Sequence, residues 1–178
     1  MRYLFIFLNL LICFFSFKSD DSLLWSDDLK LTWNDFKGEQ NRESNAVAVT
    51  ASGITFSYKV RKANSRIIDF TPIVEAHFYP EKSWVKLELA DDYILAHEQL
   101  HFDITELHVR KFRKQISALK ITQNLGSILD RLHQNINKEL SEMQHHYDSE
   151  SNNSINKEAQ SKWENFIAKE LEIYEDFR

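Results

Sequence analysis

The sequence predicts an α+β fold in which a small antiparallel sheet precedes a three-helix core. Strand-like alternation of small, β-branched and aromatic residues is confined to residues 45–89. Helical spacing begins at Asp91 and continues almost to the C-terminus. The 178 residues contain three Gly and two Pro, too few for a chain built from many tight turns, so long helices are favoured. The length suits one domain with a sizeable core. Hydrophobic residues make up 43% and charged residues 28%, a balance that argues against disorder.

Residues 1–17, MRYLFIFLNLLICFFSF, carry a basic Arg2 and an apolar run from Tyr3 to Phe15 interrupted only by Asn9. The run is short of the roughly 20 residues a membrane-spanning helix needs, and it predicts a cleaved secretory signal peptide. Residues 1–19 are therefore expected to be the signal peptide and 20–178 a single domain. Cys13 is the only cysteine and lies in this run, after Leu11-Ile12 rather than small residues. Lipidation is not expected, and the mature chain should carry neither disulfide nor thiolate ligand.

Residues 20–44 form a polar lead-in with aromatic plugs at Trp25, Trp33 and Phe36. Residues 45–60 predict one or two strands with a bend or bulge at Gly53. Residues 66–79 predict a strand pair broken at Pro72. A turn at 80–83 and a short strand over 84–89 follow. Asp91 or Asp92 caps a helix expected to reach about Leu119. A second helix from about Thr122 to Tyr147 aligns Leu125, Leu129, Leu132, Ile136, Leu140, Met143 and Tyr147 on one face. The polar stretch 149–154 breaks it, and a third helix places Ile155, Ala159, Trp163, Phe166 and Ile167 on one side.

The 22 basic and 27 acidic residues give a net charge of −5. That balance argues against nucleic-acid partners and gives no support to an anionic-lipid role. The chemistry is concentrated at His97-Glu98-Gln99-Leu100-His101, an H-E-x-x-H sequence inside a predicted helix. Positions i and i+4 share a face, so His97 and His101 can bind one Zn²⁺. Glu98, about 100° round the helix, can serve as general base without being a ligand. A tetrahedral catalytic site needs a third protein ligand. Glu106 lies on the opposite side from His97, and Asp103 about 120° away. His108 is roughly 10 Å of rise beyond His101. The ligand must come from elsewhere, and residues 142–153 offer Glu142, His145, His146, Asp148 and Glu150. His145 points away from the apolar face through Met143 and Tyr147. Spacing leaves His146, Asp148 and Glu150 open.

Leu31-Thr32-Trp33-Asn34-Asp35-Phe36-Lys37-Gly38, His97-Glu98-Gln99-Leu100-His101-Phe102-Asp103-Ile104, and Tyr147-Asp148 followed by Asn156, Gln160 and Trp163 resemble a bacterial family of predicted secreted zinc-dependent proteases, a domain of unknown function. The resemblance spans about residues 30–170. It implies a zincin-like fold with an active-site helix, and makes Asp148, which matches the family, the first choice of third ligand, with His146 or Glu150 as substitutes. It also exposes a departure: Asn153 stands where the family pattern has a His. The expected function is thus a secreted or periplasmic zinc-dependent hydrolase, a peptidase acting on a peptide or protein substrate, with Glu98 as general base. His77 or a tyrosine is a candidate to stabilise the oxyanion. The alternative is a non-catalytic envelope protein with a degenerate metal site. Neither reading includes nucleic acid or stable membrane insertion after signal cleavage.

Overall fold

A computed structural model describes residues 21–178, so the expected signal peptide lies outside the described residues. The architecture is α+β, a small antiparallel sheet followed by three helices. Its dominant element is a hairpin of β3 (Ser52–Ala63) and β4 (Arg66–Phe78). The two strands are joined at Asn64 and Ser65, both with positive φ (48° and 64°). Two consecutive left-handed residues match the right-handed twist of the flanking strands. β1 (Leu23–Leu24) pairs with the end of β4, giving the order β1-β4-β3. A separate two-stranded ladder joins β2 (Ala48–Val49) to β5 (Trp84–Val85).

Three strand expectations are corrected. Gly53 does not bend the chain; the irregularity falls between Arg61 and Lys62. Pro72 does not break β4. Tyr79 donates to Ala51 O, and the ladder alternates from there. Pro72, opposite Tyr58, therefore directs its nitrogen away from β3. β1 covers that edge only at His77 and Phe78, so no ladder bond is lost at the proline. The strand expected over 84–89 stops at Val85, and a single 3₁₀ turn occupies Leu87–Leu89.

The helices are α1 (Asp92–Ser117), α2 (Leu125–Ser151) and α3 (Lys157–Ile173). The Asp91 side chain accepts from Ile94 N at 2.8 Å and caps α1. Phe102, Val109, Phe112 and Ile116 pack towards the sheet side, with Phe36, Val74, Ala76 and Phe78. Leu100, Ile104 and Leu107 pack on Leu140, Tyr147 and Ile167 from α2 and α3. α1 is thus apolar on two sides because it lies between two layers. The expected face of α2 is buried at Leu125, Leu129, Ile136, Leu140 and Tyr147. The break after it begins at Asn152, later than expected, and α3 starts after Ile155. Ile155 is consequently exposed, at 75%, and Phe166, expected on the same side, is 43% exposed.

Candidate metal centre

α1 and α2 run antiparallel, and Gln144 sets their register. Its Nε2 donates to His101 O and to Thr105 Oγ1, both at 3.3 Å. One helical turn further along α2, that register sets Asp148 level with His101. The extra turn of α2 beyond Tyr147 is what carries Asp148. Its end is closed by Asn152 in the left-handed conformation (φ 50°, ψ 50°), whose N–H donates to Asp148 O. Tyr147 is fully buried beneath the pair of histidines. Its ring stacks on His97, centroids 4.5 Å apart, and meets His101 edge-on at 5.1 Å.

Three ligand-type atoms converge. His97 Nε2 and His101 Nε2 lie 3.3 Å apart. Asp148 Oδ1 is 3.2 Å from the first and 2.9 Å from the second. Among the described residues this is the only group of three or more His, Cys, Asp or Glu side chains gathered closely enough to hold one ion. Two ligands about 2.0–2.1 Å from a single tetrahedral Zn²⁺ are separated by about 3.3–3.4 Å. The triangle is close to those dimensions, and its donors, two imidazoles and a carboxylate, suit zinc. Burial pushes the Asp148 carboxyl up, but hydrogen bonds and charge from His101 and His97 outweigh it and hold the group well below the usual carboxylate range. Burial, with Glu164 and Glu98 nearby, raises the Tyr147 phenol, which stays neutral.

Glu98 borders the same cleft and is 4% exposed. Its Oε2 is buried with no hydrogen-bond partner among the described residues. A carboxylate left unpaired in such a place is costly unless something else occupies its lone pairs. Its position beside the histidines, outside the triangle, suits a group that handles a proton. The cleft has a volume of about 610 Å³. One wall is formed by residues 44–50, and the lining also includes Asn152, Asn153 and Ser154. All three of these residues have positive φ, from 48° to 72°. Thr50 Oγ1 donates to Glu98 O at 3.2 Å and pins the first wall to α1.

The remaining candidates fall elsewhere. Asp103 accepts from Trp25 Nε1 at 2.8 Å and from Gln99 Nε2 at 3.0 Å. Glu106 is buried and pairs with Arg110 at 2.9 Å. His108 is buried, with Nδ1 2.8 Å from Ile104 O. His145 is exposed, and its Nδ1 bonds to Ser141 O. His146 is exposed and borders a different groove, between α1, α2 and α3. Glu150 accepts from Trp163 Nε1 at 2.8 Å. Of the three options the spacing left open, only Asp148 meets the histidines. His77 lies between Ser22 and Glu75 and does not border the cleft, so it cannot serve there as an oxyanion donor. Asn153 does face the cleft, at the position where the resemblance expects a His. The wall at 44–50, the register set by Gln144 and the ring of Tyr147 beneath the histidines were not anticipated. The small-residue alternation of Ala46 to Thr50 was the one signal for the wall.

A bacterial family described as proteins of unknown function, DUF922, matches residues 27–155. No curated protein and no solved structure matches the chain.

Proposed function

The chain belongs to the bacterial DUF922 family, and we propose that it is a zinc-dependent hydrolase with a zincin-like site, a peptidase that works after export to the periplasm or the medium. The observation that carries the reading is the convergence of His97 Nε2, His101 Nε2 and Asp148 Oδ1 within 2.9–3.3 Å of one another, with the unpaired Glu98 carboxylate beside them. Bound zinc supplies Lewis acidity, polarising a substrate carbonyl and acidifying water. His97, His101 and Asp148 would hold it. Glu98 takes a proton from the attacking water through its carboxylate and returns it to the leaving amine. Tyr147 supports both imidazoles, stacked on His97 and edge-on to His101, so the two rings are braced by packing.

The cleft wall supports a polypeptide substrate. Lys86 N donates to Val47 O, so residues 47 and 86 form a hydrogen-bonded pair and Ala48, opposite Val85, turns its N–H and C=O away from β5. An extended peptide in the cleft can take those two groups as ladder partners.

A second reading has a specific observation in its favour. His97 Nδ1 is buried without a partner among the described residues, whereas a zinc-bound His normally donates its other N–H to an acceptor. With Asn153 in place of a His, this suits a non-catalytic envelope protein with a weakened site. Glu98→Gln separates the two. In the full chain the variant should keep stoichiometric zinc and lose hydrolysis of a fluorogenic peptide mixture by at least 10²-fold. A wild-type protein that retains no zinc, or a variant with undiminished hydrolysis, would overturn the peptidase reading.

A further inference from the structure

Net charge conceals how the cations are distributed. Residues 59–68, KVRKANSRII, contain four cations and no acid. The next residue, Asp69, is taken by Arg61 at 3.1 Å. Residues 107–129 likewise contain no Asp or Glu. The two stretches meet in space: Gln123 Oε1 accepts from Ile67 N at 3.3 Å, which sets the α1–α2 loop beside the hairpin. Lys59, Lys62, Arg66 and Lys120 are all exposed and have no ion pair among the described residues. Between them stand three exposed apolar side chains, Val60, Ile68 and Ile121, at 40%, 42% and 42%.

We propose that this end of the molecule, the β3–β4 turn with the α1–α2 loop, is a docking surface for an anionic lipid bilayer. A bilayer surface accepts both halves of the patch, cations at its headgroups and aliphatic side chains just beneath them. Fields are screened within about 8 Å at physiological ionic strength. A contacting surface therefore meets these cations and not the acidic remainder of the chain. Nucleic acid fits less well, because residues 59–69 carry no aromatic ring on which a base could stack. The binding is peripheral: no helix among the described residues is long and apolar enough to cross a membrane. β3 starts beside the metal centre, where Ser52 Oγ and Thr105 Oγ1 are 2.7 Å apart. Ten residues of strand to Lys62 span about 33 Å. The hairpin would hold the cleft that far from the lipid. The proposal does not depend on the cleft being catalytic.

The test is co-sedimentation of the full chain with vesicles of pure phosphatidylcholine and with vesicles containing 30% phosphatidylglycerol, against the triple variant Lys59→Glu, Lys62→Glu, Arg66→Glu. Residues 1–20 are common to every arm, so any apolar contribution from them cancels in the comparison. Each cation is worth about fivefold in affinity for an anionic surface. The wild type should prefer the anionic vesicles, and the variant should lose at least about a hundredfold on them while its binding to neutral vesicles is unchanged. Wild-type binding should also fall steeply between 0.1 M and 0.5 M salt, which needs no variant. Equal binding to both vesicle types would overturn the proposal. So would an equal loss on matched reversal of Lys37, Lys138 and Lys169 on other elements. Salt-sensitive binding to polyglutamate or DNA with none to vesicles would overturn it as well.

Discussion

Tyr147 offers the sharpest separation of packing from polarity in this chain. Its ring is completely buried, lies against both His97 and His101, and meets Trp163 with centroids 5.6 Å apart. Its hydroxyl is buried with no partner among the described residues. Tyr147→Ala removes the whole ring from a site enclosed by α1, α2 and α3. Large aromatic-to-Ala changes of this kind cost about 3–5 kcal/mol. For a protein of this length each kcal/mol lowers Tm by about 2–4 °C, so a fall on the order of 10 °C is expected. Tyr147→Phe removes only an unpaired oxygen and should change stability by less than about 1 kcal/mol in either direction. Urea denaturation in the presence of a chelator measures both without metal linkage. If Phe costs as much as Ala, the hydroxyl is bonded and the packing argument fails. If Ala costs under about 1 kcal/mol, the ring does not support the two histidines.

Zinc at 100 times its dissociation constant should stabilise the wild type by about 2.7 kcal/mol, raising Tm by roughly 5–10 °C; His97→Ala or His101→Ala should abolish the rise in a thermal-shift assay. Burial lowers the His108 imidazole to about 4, from about 6.5 when unfolded. The unfolded chain therefore binds more protons between those values, so His108's contribution to stability is complete above pH 6.5 and is lost as pH falls towards 4. The loss is on the order of 3 kcal/mol, and His108→Gln should flatten that part of the stability profile measured by urea titration at stepped pH.

The helices were legible because their signals are local. Asp91 caps α1, the i,i+4 spacing of His97 and His101 follows from the helical repeat, and the apolar face of α2 is the one the structure buries. The strands were less legible because their features depend on partners. Pro72 is tolerated only because β1 stops short of it, and the small residues at 46–50 become a cleft wall only when paired with β5. The third corner of the His97–His101–Asp148 cluster depended on something spacing could not set: where α2 ends. A helix stopping at Tyr147 leaves Asp148 in a loop. One more turn, closed by left-handed Asn152, carries it to the histidines and turns Glu150 to Trp163. The hydrogen bonds of Gln144 to α1 fix which residue of that turn faces His101, and no local pattern announces them.

The central claim is that His97, His101 and Asp148 hold zinc. Anomalous diffraction at the zinc edge, from crystals of the full chain grown with one equivalent of the metal, tests it directly. One peak is expected about 2.0–2.2 Å from His97 Nε2, His101 Nε2 and an Asp148 carboxylate oxygen. A peak elsewhere, or none with the three side chains still bonded to one another, would contradict it.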